Sequence, residues 1–228
     1  MNEPVQHYSN DAQLAHQEVL LQKTYSLLAW SFLPAVAGAL VSMVFNPLAM
    51  VGNYWIAVGA MFAFFYGMCF AIEKNRYSQT GVVLLMVFTF GMGVFLGPLL
   101  SVAQMFSNGG QLIAVAAAMT AGVFFTMAAL ARRANINTNA LGRFLAVGGV
   151  VLMIGVVANF FFALPWLSLT LSAMFVIVSA LMIMWQVRNI LDGGEDSHVS
   201  AALTIFISIY NLFSSILRLL LAFAGEER

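Results

Sequence analysis

Polar side chains are rare in the long apolar stretches of this chain, and almost all of them are uncharged. No aspartate or glutamate lies inside a stretch, and Glu73 stands at the end of the second one. Proton relays and divalent-cation paths normally use buried carboxylates, because an anionic oxygen must replace the water that the proton or ion gives up. The sequence therefore disfavours both activities. The larger polar residues within the stretches, with one serine of the last stretch, include Gln104, Asn159, Gln186, Ser208, Tyr210, Asn211 and Arg218.

Hydrogen bonding between helices is the expected role of the uncharged members of this set. Within a bilayer such a bond stabilises the protein by about 1 kcal/mol or less. The charged member, Arg218, is expected to extend its long side chain to the membrane surface. We therefore predict polar contacts inside the membrane at Asn159, Tyr210, Asn211 and Arg218.

The sequence lacks the common catalytic and metal-binding patterns. HExxH, GxSxG and a pair of carboxylates are absent from the apolar stretches, so neither a metalloprotease nor an intramembrane protease finds its residues there. His7, His16 and His198 are far apart in sequence and lack metal-ligand spacing. The single cysteine, Cys69, cannot form an intramolecular disulfide. We predict a protein that is not an enzyme and that binds no metal or cofactor.

The elements that carry these side chains have a composition that only a lipid bilayer can solvate. Of the 228 residues, 62% are hydrophobic and 8% are charged, whereas a soluble domain has roughly 25% charged residues. The net charge is zero and no basic block exists, which argues against nucleic-acid binding. Because about 20 apolar residues cross a bilayer as a helix, we predict an all-α, polytopic membrane bundle of about seven transmembrane helices. The predicted spans are 24–45, 53–72, 80–105, 111–131, 144–164, 166–187 and 200–223.

Charged residues are confined to alternate loops, and the first, third and fifth loops carry none. Lysine and arginine mark the cytoplasmic side of a membrane protein. We therefore expect the N-terminus and the even loops inside and, with seven spans, the C-terminus outside. The charges of the even loops are Glu73, Lys74, Arg76, Arg132, Arg133, Arg188, Asp192, Glu195 and Asp196.

The spans divide the chain into a polar tail, 1–23, a transmembrane domain, 24–224, and a short C-terminal tail, 225–228. The first tail has no basic start and no apolar core, so it does not read as a cleaved signal peptide. Its polar and acidic composition contains few folding signals, and we expect it to be unstructured on the cytoplasmic side.

Small residues recur every fourth position in the third span, at Thr89, Gly93, Gly97 and Ser101. Such a face lets two helix backbones approach closely, and packing within the bundle is favoured over a dimer interface. Pro98 follows the second glycine directly and is expected to kink or locally unwind the helix.

Several ordered segments resemble one known family. The sixth span ends with Met184-Trp185-Gln186-Val187-Arg188-Asn189-Ile190, a turn with Gly193-Gly194 follows, and the last span contains Asn211-Leu212-Phe213. This pattern resembles the Bax inhibitor-1 family, also called TMBIM, and is most similar to its bacterial YccA-like branch. Other segments that agree in order are Lys23-Thr24-Tyr25, Gly97-Pro98-Leu99-Leu100 and Val157-Ala158-Asn159-Phe160.

The resemblance implies seven helices, six of them around the last. In several members of the family, two acidic residues in the sixth and seventh helices form a pH-sensing pair that controls a calcium leak. The matching positions here are Gln186 and Ser208, neither of which ionises. A hydrogen bond between them would still join the two helices, but without a charge that a proton can release. Because the ionisable pair is missing, a calcium or cation leak is kept only as the alternative function.

The YccA-like branch implies a different function in the bacterial inner membrane, with the C-terminus in the periplasm. Its implied partners are the membrane AAA protease FtsH and the HflK and HflC proteins. A member of this branch would be a slowly degraded substrate that restrains the protease. The polar tail, 1–23, would offer the protease a grip, although an ordinary disordered terminus has the same composition.

Overall fold

The computed structural model describes residues 3–45, 52, 54–133 and 136–226, in which seven α-helices lie. Each helix is 20 residues or longer and apolar enough to cross a membrane, which confirms the predicted all-α bundle. The helices are α1 (Glu3–Phe45), α2 (Tyr54–Lys74), α3 (Gln79–Gln104), α4 (Gly109–Arg133), α5 (Thr138–Phe162), α6 (Pro165–Leu191) and α7 (His198–Glu226).

The last helix, α7, lies at the centre of the bundle. It packs against α1, α2, α3, α4 and α6, and the side chains of Ile205, Leu212 and Leu217 are completely buried. Helix α5 lies at the periphery and packs mainly on α6. This arrangement agrees with the expectation of a helix surrounded by others, with α5 as the most distant neighbour.

The closest helix pair is α1 with α3, and glycines make it possible. A Cβ atom on Gly93 would lie 1.9 Å from the carbonyl oxygen of Ala35, and one on Gly97 would lie 2.0 Å from Oγ of Ser42. Gly38 on α1 is equally close to the carbonyl oxygen of Phe90. The structure thus places the predicted small-residue face against a neighbouring helix of the same chain, where no larger side chain fits.

The expected unwinding at Pro98 does not occur, because α3 continues as an α-helix from Gln79 to Gln104. Proline removes one N–H donor and one helical hydrogen bond. The bonds on either side remain, and Gly97 and Leu100 are buried against neighbouring helices. Packing of this kind tolerates proline in membrane helices.

The N-terminal segment also differs from the expectation, because α1 begins at Glu3 and residues 3–23 continue the first span as one helix. Leu20 and Leu21 are buried in the core. Burial of these leucines stabilises the helical form of the segment, although the average composition of the segment is polar. At the other end of the chain α7 extends to Glu226, so the predicted C-terminal tail begins inside a helix.

Candidate functional site at the charged end of the bundle

One end of the bundle gathers the start of α1 and the three charged turns, and we call it the charged end. It comprises residues 13–20, 73–78, 132–133, 136–138 and 185–200. The charge pattern predicted this grouping, since the N-terminus and the even loops must share one side of a bundle with seven spans. Exposed ion pairs and hydrogen bonds connect these segments, as the following contacts describe.

Two of these connections involve α4, α5 and α6. Arg132 at the end of α4 contacts Glu18 of α1 at 3.5 Å. Asp192 accepts a hydrogen bond from the hydroxyl of Thr138 at the start of α5 and forms an ion pair with Arg188 at 2.9 Å. In addition, the indole nitrogen of Trp185 donates to the carbonyl oxygen of Thr138 at 3.0 Å. The turn between α6 and α7 is thereby fixed to the start of α5.

Arg76 holds the turn between α2 and α3 against the turn between α6 and α7. Its guanidinium lies 2.8 Å from Asp196, 3.7 Å from Glu73 and 4.0 Å from Glu195. It also donates to the hydroxyl of Tyr77, which donates in turn to Asp196 at 2.9 Å. The hydrogen bond with Tyr77 raises the pKa of Arg76 above its ordinary value, so the guanidinium stays charged at any physiological pH.

Glu195 is the least exposed carboxylate of this network, with 11% of its side chain accessible. Its Oε1 atom accepts hydrogen bonds from the backbone N–H groups of Asp196 and Ser197, each at 3.0 Å. Its Oε2 atom lies 3.5 Å from the amide nitrogen of Gln186, which is buried. The carboxylate therefore orders the entry to α7, where backbone N–H groups lack helical partners.

Ser197 and Ser200 complete the connection between the start of α7 and the end of α2. The Ser197 hydroxyl donates to the carbonyl oxygen of Arg76 at 2.7 Å and accepts from the N–H group of Ser200 at 3.2 Å. This second bond is that of an N-cap residue. The Ser200 hydroxyl donates to Glu73 at 2.7 Å, so the central helix is fixed to α2 by two side chains.

Gln186 and Ser208 each form a hydrogen bond with another partner. Ser208 donates to the carbonyl oxygen of Thr204 in its own helix at 2.8 Å, as serine often does within membrane helices. Gln186 instead directs its amide nitrogen to the carboxylate of Glu195, a charged and therefore stronger acceptor than a hydroxyl. Sequence reasoning missed the role of Glu195 because that residue was assigned to a solvated loop.

The other predicted polar residues do not come together. Within the described part of the chain, the buried Oδ1 atom of Asn159 has no hydrogen-bond partner. The expected bond between helices is thus not formed by that atom. The ring of Tyr210 lies 6.5 Å from that of Phe206 in the same helix, and the carbonyl oxygen of Asn211 accepts from Ser214. Arg218 is exposed on α7.

The charged end has a polar recess of about 480 Å³ between α1 and the turn that follows α6. Gln13, His16 and Gln17 line it on one side, and Asp192 and Glu195 line it on the other. Among the described residues, no group of three histidine, cysteine or acidic side chains is arranged to hold a metal ion. The arrangement joins turns and orders a helix start, and its contacts are therefore structural.

The amino-acid sequence matches a known protein family and several relatives. The family model described as "Inhibitor of apoptosis-promoting Bax1" matches residues 17–225. An uncharacterized protein of Neisseria meningitidis is 58% identical over 222 residues, which cover 96% of this chain and 98% of the relative. The "Modulator of FtsH protease YccA" of Escherichia coli K12 is 34% identical over 208 residues, covering 91% of each chain.

A third relative, an uncharacterized protein of Pseudomonas aeruginosa, is 34% identical over 224 residues, covering 97% of this chain and 98% of the relative. The family description and these names refer to inhibition and modulation, and none of them refers to a catalytic activity. The match covers almost the whole bundle, from the charged end to the end of the central helix. The chain therefore belongs to the Bax inhibitor-1 family of multi-pass membrane proteins.

Proposed function

We propose that this protein is an inner-membrane partner of an FtsH-type AAA protease and modulates its activity. The observation that carries the proposal is the similarity to the modulator of FtsH protease, which extends over 91% of both chains. A second relative from Escherichia coli is named an inner membrane protein. By the same resemblance, HflK-type and HflC-type proteins belong to the proposed assembly.

The start of α1 is the segment that a pulling protease would take first. The first turns of α1 precede the predicted span, 24–45, and the terminal turns of a helix open more readily than its packed centre. From residue 18 onward the helix is held by the ion pair between Glu18 and Arg132 and by the buried Leu20 and Leu21. The grip is therefore short, and resistance begins within two turns of it.

Slow extraction follows from the contacts of α1 with the rest of the bundle. Removing this helix requires separation of the glycine contacts with α3, where Gly93 lies against the α1 backbone and Gly97 lies against the Ser42 side chain. It also requires exposing the central helix α7, which packs on α1. A substrate that opens slowly occupies the protease and so restrains it, which is the proposed mode of modulation.

One N-terminal deletion and one C-terminal deletion test this proposal in membranes that contain the protease. Removing residues 2–12 takes away the grip but leaves Glu18 and Leu20 in place, so we expect a longer half-life of the inserted protein. We also expect weaker inhibition of a second FtsH substrate. Removing residues 226–228 at the opposite end is the matched control and should change neither quantity. Unchanged half-life and unchanged inhibition after the N-terminal deletion would contradict the proposal.

The proposed orientation has the charged end in the cytoplasm and the C-terminus in the periplasm. The support is the location of Arg76, Arg132 and Arg188 at one end, since positive charge favours the cytoplasmic side. Fusing alkaline phosphatase to residue 228 tests it, because the enzyme is active only in the periplasm. An active fusion is expected. An inserted fusion without phosphatase activity would reverse the orientation.

A cation leak is the second candidate, and one contact favours it. The carboxylate of Glu195 lies 3.5 Å from Gln186, so an ionisable group is present beside one of the two positions that match the family's acidic pair. Calcium uptake by proteoliposomes between about pH 6 and 8 tests this function. Flux in the unaltered protein supports the leak, whereas flux that appears only in the double variant Gln186→Asp, Ser208→Asp restricts it to chains with both acids.

A further inference from the structure

A long apolar cleft separates α1 from α4 on the outside of the bundle. Its volume is about 1010 Å³, and its floor is formed by α3 and α7. On α1 the lining extends from Tyr25 to Met43, and on α4 it extends from Ile113 to Arg132. The cleft is as large as the sites that hold whole small-molecule ligands, and it opens sideways, where a membrane protein meets lipid.

The length of the cleft matches the membrane. Residues 25 to 43 of α1 rise by about 27 Å at 1.5 Å per residue, and the hydrocarbon core of a bilayer is about 30 Å thick. The cleft therefore spans most of the thickness of the hydrocarbon core. Acyl chains are thin enough to enter it completely.

The two ends of the cleft differ in chemistry, and this difference indicates the occupant. At the charged end lies Arg132, which is the one charged residue among the described residues that line the cleft. At the other end the lining consists of side chains such as Met43 and Leu100. An amphiphile with an anionic head and an apolar chain matches this arrangement in both charge and length.

Arg132 has hydrogen-bonding capacity beyond its present contact. Its two terminal nitrogens each lie 3.5 Å from Glu18, and about half of its side chain is exposed. A guanidinium carries five N–H donors, so a phosphate oxygen can be accommodated beside or in place of Glu18. Near it, the buried hydroxyl of Tyr25 has no hydrogen-bond partner among the described residues, and an ester oxygen would satisfy it.

We propose that the cleft between α1 and α4 binds an anionic phospholipid, with an acyl chain along α4 and the phosphate on Arg132. Glu18 competes with the phosphate for the same guanidinium. Binding therefore depends on headgroup charge as well as on apolar fit, and the site differs in this respect from the ordinary lipid-facing surface of the bundle.

Native mass spectrometry of the full-length protein tests the proposal, with phosphatidylglycerol and phosphatidylcholine supplied in equal amounts. We expect retention of phosphatidylglycerol in preference to phosphatidylcholine, and a loss of at least about fivefold in Arg132→Ala, which corresponds to one charge-assisted contact. Arg143→Ala is the matched control, since Arg143 is also exposed but does not line the cleft. Ala121→Phe fills the cleft and should reduce retention of both lipids.

Glu18→Gln distinguishes lipid binding from a merely structural ion pair. Removing the competing carboxylate should increase retention of phosphatidylglycerol, whereas loss of a structural pair would give Glu18→Gln and Arg132→Ala the same effect. If Arg132→Ala does not fold, Arg132→Gln is compared with Arg132→Lys, and only the lysine variant should keep the lipid. Equal retention of both headgroups, unchanged retention in Arg132→Ala, or a stoichiometric protein in place of lipid would overturn the proposal.

Discussion

The two sides of α1 meet their neighbours in opposite ways. Toward α3, glycines bring the backbones so close that an added Cβ atom on Gly93 would lie 1.9 Å from Ala35. Toward α4, the same helix faces a cleft of about 1010 Å³. The helix is thus anchored on one side and free to accept a ligand on the other. Position in a bundle is secured by a few close contacts and does not require packing all round.

The largest effect is expected from breaking the close side. Gly93→Ala places a methyl group 1.9 Å from the carbonyl oxygen of Ala35, well inside van der Waals contact. The α1 backbone cannot move aside as a side chain can. We expect a loss of about 1–3 kcal/mol in the free energy of unfolding, measured by thermal unfolding in detergent. Gly122→Ala on α4 is the matched control, since nothing lies within 4 Å of its added Cβ atom.

The control should change stability in the opposite direction. Alanine is a better helix former than glycine by about 1 kcal/mol, so Gly122→Ala is expected to be neutral or stabilising. A similar loss in both variants would mean that glycine flexibility, and not the close contact between α1 and α3, determines the effect. That result would remove one half of the comparison.

An intermediate effect is expected at the charged end, where polar contacts replace close packing. Glu195→Ala removes the acceptor of two backbone N–H groups and of Gln186. We expect a loss of about 1–2 kcal/mol, the range for an ordinary helix cap, and faster hydrogen exchange at the start of α7. Glu195→Gln retains a carbonyl acceptor and should lose less. Identical losses in both variants would exclude the capping role.

The smallest effect is expected across the open side, where the ion pair between Glu18 and Arg132 connects α1 with α4. Both side chains are about half exposed, and exposed ion pairs contribute about 0–1 kcal/mol. Glu18→Gln should therefore change the unfolding temperature little in detergent free of anionic lipid. A loss as large as that of Gly93→Ala would show that α1 is anchored on both sides.

The sequence was sufficient for features that depend on composition and spacing. The seven spans, the gathering of Arg76, Arg132 and Arg188 at one end, and the close packing of Gly93 and Gly97 all follow from such patterns. The thickness of the bilayer, the alternation of loops between its two sides and the small size of glycine each constrain short segments of the sequence. These constraints can be evaluated without knowing which helices are neighbours.

Features that depend on neighbours were not predictable. Gln186 has several possible acceptors, and only the path of the turn after α6 brings Glu195 to it. Residues 3–23 appear unfolded by average polarity, because two leucines that find a buried site have little weight in the average. The cleft is defined by two helices that stay apart, α1 and α4, and a sequence contains no direct sign of such a separation.

The continuous path of α1 has a mechanical consequence. From Glu3 to Phe45 helix α1 contains 43 residues, about 65 Å of helix at 1.5 Å per residue, whereas the hydrocarbon core is about 30 Å thick. A force applied to its aqueous end is transmitted along the axis and loads the contacts with α3 in shear. Contacts loaded in shear resist together, while contacts loaded in peeling fail one by one. Under the proposed function, the helix that the protease would grip is therefore also the one best oriented to resist it.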